Sequence, residues 1–353
     1  MDEERPIADR IDDVPTPAEH TNLAGHADVL DDLVSQYAAG SFHHALMLTG
    51  PRGVGKATMA FHLARHLLAF PDRDTSPRKY SVEGIPDHVL RQVSNGGHPN
   101  LLHLTRPWDE RAKKFKTQVT IEQVRRTQAF FSLTAGGQGY RIAIIDSADE
   151  MNAAAANALL KVLEEPPKRA LFLVLSHAPG GLLPTIRSRC QAIRLRPVPD
   201  EELVPLLPVL QPDTLGRNDE RIAALAQGSV RRALQLRAGK LIDEFASFEN
   251  LAAAGANGAP ADWLMAHRIA DALLPVARAS DYDLFFDLAL GWIAARPRQG
   301  GLPLAAVAGW AEVWEGLNES RRLADAYNLD RKQAVLHLFQ AMFSQNRRFP
   351  KAA

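Results

Sequence analysis

The chain has 353 residues, of which 46% are apolar and 23% charged, values typical of a globular protein with roughly two or three domains. Its 41 basic and 41 acidic side chains give a formal net charge of zero, so the composition gives no sign of the broad basic surface usual in nucleic-acid-binding proteins. A single cysteine, Cys190, excludes an intramolecular disulfide and a four-cysteine zinc site.

The chain begins with an acidic segment, MDEERPIADRIDDVPTP, which lacks the apolar core of a secretion signal. Its charges and prolines predict an extended or loosely ordered arm of about twenty residues. No apolar run approaches the ~18 residues that would suggest a membrane span. We therefore expect a cytoplasmic protein without membrane contact.

A glycine-rich loop follows the first predicted strand, which is the apolar run at 45–48. The loop begins the stretch GPRGVGKATMA and fits the phosphate-binding motif G-x-x-x-x-G-K, which Ser or Thr normally completes. Its glycines would let backbone N–H groups surround a phosphate at the start of a helix over 55–68, and its lysine would add a positive charge. The residues that we expect to bind phosphate are Gly50, Gly53, Gly55 and Lys56.

The loop lacks the group that would hold a metal ion. Position 57 is alanine, which has no oxygen to coordinate Mg²⁺. The spacing leaves two alternatives open, which are weak binding of ATP or ADP and a loop that only caps its helix.

Two histidines, His62 and His66, lie four residues apart on the predicted helix, and this spacing can bind metal. Because no third ligand is evident, we interpret both as residues of the helix surface and expect no metal site.

Apolar runs alternate with helical patterns over roughly the first 200 residues. Continuous apolar strands in this alternation predict a parallel sheet with helices on both faces. Ligands of such sheets bind beyond the carboxyl ends of the strands, so the glycine loop, Asp146 and the region of Ser176 should meet at one edge. The further predicted strands are 101–104, 142–145, 171–175 and 192–195.

A hydrolytic site of this class needs an acidic residue at a strand end to hold Mg²⁺. Asp146 occupies that position. Ring-forming ATPases place a glutamate next to it to orient the attacking water, but here the next residue is Ser147. With Ala57, two separate requirements for hydrolysis are missing, so we expect no hydrolysis at this loop.

The pattern becomes helical beyond Pro199. Apolar side chains within 282–293 and 335–342 recur at the spacing of one buried helix face. We interpret these stripes as core packing, not as ligand sites.

Several motifs closely resemble those of bacterial clamp-loader subunits, members of the AAA+ family. They cover about residues 20–240 and include NALLKVLEEP at 157–166, LPTIRSRC at 183–190 and HPN at 98–100. The resemblance implies an α/β P-loop (AAA+-type) parallel sheet domain, a small helical lid and a C-terminal all-α collar. The corresponding boundaries are 1–197, 198–243 and 244–353.

Within that family, Ala57 and Ser147 point to the delta-prime type of DNA polymerase III subunit, similar to alphaproteobacterial members. A chain of 353 residues also suits this type better than the longer tau/gamma type. Both types usually carry a four-cysteine zinc module after the first helix. The segment 71–97 takes that place here without a cysteine, so no zinc is expected.

The resemblance implies that the chain catalyses nothing by itself but belongs to a DNA polymerase holoenzyme. Arg189 of the Ser-Arg-Cys motif would act in trans as an arginine finger at a neighbouring ATP site. Arg232 matches a nucleotide-reading sensor position, with a structural salt bridge as the alternative. The implied partners are tau/gamma and delta subunits and, through the complex, the sliding clamp and primed DNA.

Two other functions remain open from the sequence. One is an ATP-hydrolysing subunit of the tau/gamma type. The other is a free-standing AAA+ nucleotide switch that works without partners.

Overall fold

The computed structural model describes residues 8–11, 13–132, 139–212, 218–275, 278–299, 302–327 and 329–349. Two compact units divide the chain, Met1–Leu234 and Gln235–Ala353. The predicted division into three domains stays a prediction. Within the described ranges, no helix is long and apolar enough to cross a membrane.

The first unit is built around a parallel sheet of five strands in the order β2-β5-β6-β1-β7. All five predicted strands are present within one or two residues of the expected bounds, which confirms the predicted α/β fold class. A two-stranded antiparallel ribbon, β3 with β4, lies outside this sheet. The strands are β1 Ala45–Thr49, β2 Leu101–Leu104, β3 Trp108–Asp109, β4 Lys114–Phe115, β5 Arg141–Ile145, β6 Ala170–Ser176 and β7 Gln191–Arg194.

Helices cover both faces of this sheet, because alternate side chains of each buried strand point to opposite faces. Leu46 and Leu48 of β1 join the apolar core beneath α1, α2 and α3, whereas Ala45 and Met47 join the core beneath α4 and α5. The helices that end at or before residue 238 are α1 Ala27–Ala39, α2 Lys56–Ala69, α3 Asp87–Ser94, α4 Ile121–Ser132, α5 Ala153–Glu164, α6 Pro184–Arg187, α7 Asp200–Leu210, α8 Asp219–Ala226 and α9 Val230–Ala238.

The cysteine-free segment 71–97 packs on α2 through apolar contacts and hydrogen bonds. Val89 and Val93 of α3 enter the same core as α2. The hydroxyl of Tyr80 shares a hydrogen bond of 2.6 Å with His62 Nδ1, and Ser76 Oγ shares one of 2.9 Å with His66 Nε2. In the described part of the chain, no group of three or more His, Cys, Asp or Glu side chains is arranged to hold a metal ion.

The interpretation of the two histidines as surface residues is wrong. Both His62 and His66 are 0% exposed, because the segment 71–97 covers their face of α2. The residue pattern of a helix does not indicate whether a segment later in the chain will cover one of its faces. Burial lowers the pKa of His62 to about 3 and that of His66 to about 4.

We expect the free energy of unfolding to fall as the pH drops below about 6.5, the ordinary histidine value. Unfolding exposes both histidines, so the unfolded chain binds protons that the folded chain excludes between about pH 6.5 and the lowered pKa values. Urea unfolding at pH 7.5 and pH 5.0 measures the loss, which is on the order of 1 kcal/mol per pH unit for each histidine.

His66→Gln should reduce this pH dependence, whereas His88→Gln, at an exposed position of the same segment, should leave it unchanged. Equal pH dependence in both variants would contradict the assignment to His66.

The second unit is entirely helical among its described residues. The apolar stripes predicted on two of its helices are buried, and Phe245, Phe248, Phe285 and Phe339 form an aromatic cluster at its centre. Arg278 joins two helices by pairing with Glu244 at 2.6 Å. The helices are α10 Leu241–Ala256, α11 Trp263–Ala272, α12 Ala279–Ala295, α13 Leu304–Tyr327 and α14 Arg331–Arg348.

Candidate nucleotide cleft and a surface arginine

The glycine loop joins β1 to α2 at the carboxyl edge of the sheet. Gly53 has a φ of 82°, and a Cβ there would lie 2.2 Å from Ser229 Oγ, so the position requires glycine. A cavity of about 470 Å³ adjoins the loop, and its lining includes Asp146 after β5 and His177 after β6. The predicted meeting of these three segments at one edge is therefore confirmed.

Lys56 is held by its own loop. Its Nζ donates hydrogen bonds of 2.7 Å to the carbonyl oxygens of Gly50 and Pro51. Burial lowers the pKa of Lys56 to about 8, while Asp146 and Asp149 oppose the shift. Lys56, Gly53 and Gly55 line the cavity, whereas Gly50 is not among the residues lining it.

The carboxylate of Asp146 faces the cavity beside two polar groups. Ser147 Oγ donates a hydrogen bond of 3.2 Å to it, and His103 Nε2 lies 3.8 Å away. Burial alone would raise the pKa of Asp146, but His103, Ser147 and Lys56 together hold that pKa below its ordinary value.

The next two carboxylates along the chain are engaged by other protein groups. Asp149 accepts hydrogen bonds of 2.6 Å from Ser176 Oγ and from the backbone N–H of His177. Glu150 pairs with Arg106 at 3.0 Å.

The N-terminal end of α9 docks on the glycine loop. Ser229 Oγ donates a hydrogen bond of 3.0 Å to the carbonyl oxygen of Arg52, and the N–H of Arg231 donates one of 3.2 Å to that of Gly53. Arg231 lines the cavity, whereas the predicted sensor residue Arg232 is not among the lining residues. The arginine of α9 that lines the cleft is therefore the one immediately before the predicted sensor residue.

Sequence reasoning also missed Arg52 and Arg106, which line the same cavity. Arg52 occupies a variable position of the loop motif, so the motif does not identify it as a functional residue. Arg106 follows β2 at the carboxyl edge of the sheet, and the rule that ligands bind at this edge would have drawn attention to it.

Arg189 lies just beyond α6, and its side chain is 36% exposed. Its Nη2 pairs with Glu164 Oε1 at 2.8 Å, and its Nη1 donates a hydrogen bond of 3.0 Å to the carbonyl oxygen of Thr185. Arg189 is not among the residues that line the cleft of its own chain.

A glycine loop between a buried parallel strand and a helix, at the carboxyl edge of a parallel sheet, defines an α/β protein of the P-loop type. The family model described as DNA polymerase III, delta subunit, matches residues 25–199, which include the whole sheet and its loop. The matched region is 175 of the 353 residues, just under half of the chain.

The chain is similar to subunits of bacterial DNA polymerase III. It is 36% identical over 161 residues to subunit delta′ of Pseudomonas aeruginosa, an alignment that covers 45% of each chain. It is 31% identical over 238 residues to subunit delta′ of Escherichia coli K12, covering 66% of this chain and 65% of that one. The E. coli subunit tau is 29% identical over 224 residues, or 62% of this chain and 32% of that one. The chain thus spans less than two thirds of the length of these relatives.

Proposed function

We propose that this chain is a delta-prime-type subunit of a DNA polymerase III clamp loader, and that it supplies Arg189 in trans to the ATP site of a neighbouring subunit. The position of Arg189 carries this proposal, since its side chain is partly exposed and is not among the residues that line its own cleft. Similarity to delta′ subunits of two species supports it.

The geometry of its own cleft argues against hydrolysis there. Position 57 offers no oxygen to Mg²⁺, and position 147 is a serine that donates to Asp146 instead of a carboxylate that orients water. The chain would therefore need no bound cofactor and no zinc for its role. The proposed role does not depend on a nucleotide bound in this cleft.

The contact with Glu164 would help to orient Arg189 as an arginine finger. The Glu164 carboxylate holds one side of the guanidinium at 2.8 Å, and the carbonyl oxygen of Thr185 fixes another N–H. The exposed part of the planar group keeps donors for the oxygens of a transferring phosphoryl group. A partly ordered guanidinium loses less side-chain entropy when it meets the phosphate of a neighbour.

The helical unit exposes several large apolar side chains. Leu304, Trp314 and Leu323 of α13 are 84%, 41% and 43% exposed. We propose that exposed apolar side chains of this unit contribute to contact with tau/gamma- and delta-type subunits. Contact with the sliding clamp and primed DNA would follow through the assembled complex.

The similarity to E. coli tau favours one second candidate, an ATP-hydrolysing subunit of the same assembly. That candidate requires the cleft of this chain to bind Mg-ATP and turn it over, with Lys56 as an essential group.

Omission of the chain from a reconstituted complex tests the proposed function. We expect the isolated chain to hydrolyse no ATP above background, and its addition to the tau/gamma- and delta-type subunits to raise DNA-stimulated ATP hydrolysis. A coupled phosphate-release assay measures both. Magnesium-dependent turnover by the isolated chain that Lys56→Ala abolishes would establish the second candidate instead.

A further inference from the structure

Three arginines converge on one carboxylate at the mouth of the cleft. Asp9 Oδ1 lies 3.2 Å from Arg52 Nη2, and Asp9 Oδ2 lies 3.1 Å from Arg106 Nη2. Arg231 Nη1 donates a hydrogen bond to the backbone carbonyl oxygen of Asp9. The arginines come from the glycine loop, the turn after β2 and helix α9, so the fold brings together cations that are far apart in sequence.

The arginines depend on this carboxylate for charge balance. Burial lowers the pKa of Arg231, Arg52 and Arg106 act in the same direction, and Asp9 opposes them. Glu150 neutralises the other side of Arg106 at 3.0 Å. Without Asp9, only the charges of Glu150 and Asp146 would offset the three guanidinium groups, which would repel one another more strongly.

We propose that Arg52, Arg106 and Arg231 form a binding site for the phosphates of a nucleotide, and that Asp9 is a built-in ligand that competes for this site. Arginine is suited to phosphate oxygens because its planar fork donates two parallel hydrogen bonds. Three arginines also neutralise a polyphosphate without a divalent cation, which Ala57 cannot help to hold.

The cavity beside the arginines is large enough for the rest of a nucleotide and has apolar lining residues. Its volume of about 470 Å³ lies within the range of small-molecule sites, roughly 300–1,000 Å³. Phe61, Leu206 and Leu210 contribute apolar lining on which a base can pack. The ligand class is therefore a nucleoside diphosphate or triphosphate.

Asp9 can move away from the arginines while the residues that follow it, 14–18, stay attached to the rest of the first unit. The Asp9 side chain is 43% exposed. Farther along, Val14 is buried, and the carbonyl oxygen of Ala18 accepts hydrogen bonds from Arg65 Nη2 and from Ser94 Oγ, the latter at 3.1 Å. Asp9 is thus held by ion pairs and a hydrogen bond that a phosphate can replace, whereas 14–18 stays packed on the core.

Binding of a fluorescent ADP analogue to the full chain, in EDTA, tests the exchange. Asp9→Asn should bind the analogue about tenfold more tightly than wild type, on the scale of a partly exposed ion-pair network. Asp13→Asn removes the same charge from the same arm at an exposed position outside the cavity lining, and it should bind like wild type. Adding Arg231→Gln to Asp9→Asn should remove the gain.

Three results would overturn the proposal. The first is equal affinity of the Asp9→Asn and Asp13→Asn variants, and the second is a gain that survives Arg231→Gln. The third is absence of binding in every variant, with circular dichroism showing that each one is folded. Because this assay uses the isolated chain, its failure leaves the proposed role of Arg189 in the complex untouched, and the reverse also holds.

Discussion

Arg189→Ala is expected to slow ATP hydrolysis by about 10³-fold at the neighbouring site that we propose this arginine completes, the lower end of the range for arginine fingers. The reason is electrostatic, because the guanidinium would stabilise negative charge that develops on the phosphoryl oxygens during transfer. Single-turnover hydrolysis in the reconstituted complex resolves that site as a fraction of bound ATP that persists after the rest has reacted.

Arg189→Lys separates charge from shape. Lysine keeps the positive charge but lacks the planar fork and the paired donors, so we expect a rate much nearer to that of Arg189→Ala than to wild type. Lysine also cannot reproduce both the Glu164 and the Thr185 contacts of the guanidinium.

Two matched variants serve as controls. Arg187→Ala removes an exposed arginine two residues away and should leave hydrolysis unchanged. Lys56→Ala alters the glycine loop of this chain and should do little to hydrolysis by the complex. If Lys56→Ala is the damaging change and Arg189→Ala is silent, hydrolysis occurs in this chain's own cleft and the proposed division of labour is wrong.

The architecture of the first unit was predictable because its signals are local. A buried parallel strand needs a continuous apolar run, and a glycine loop needs its residues at fixed spacing. Strands β1 and β6 contribute apolar side chains to the cores on both faces of the sheet, so their sequences are compatible with few other structures. Patterns of this kind are complete within a window of about ten to fifteen residues.

The contacts that surround the cleft were not predictable, because they join distant parts of the chain. Asp9 meets Arg106 and Arg231 across 97 and 222 residues, and neither separation leaves a periodic pattern. Likewise, His62 reads as a surface residue until the segment carrying Tyr80 folds over it. Ion pairs and buried polar contacts of this type depend on the finished fold, not on local spacing.

Phe248→Ala is expected to cost about 3–5 kcal/mol of the free energy of unfolding of the helical unit. Phe248 is 0% exposed, and its ring packs against Phe245, Phe285 and Trp292 at centroid distances of 5.5 to 5.8 Å. Truncation leaves a cavity that the surrounding aromatic rings cannot fill, because they are held in place by neighbours on several helices.

Tryptophan fluorescence during urea unfolding measures this loss selectively. Four of the five tryptophans lie within 235–353, and one of them, Trp292, contacts Phe248 directly. Leu304→Ala is the matched control, since that side chain is 84% exposed and its truncation should change the free energy of unfolding by less than about 0.5 kcal/mol. A unit stability of roughly 5–15 kcal/mol would lose a large share to Phe248→Ala. Comparable small shifts for both variants would mean that the aromatic cluster does not form the stabilising core of this unit.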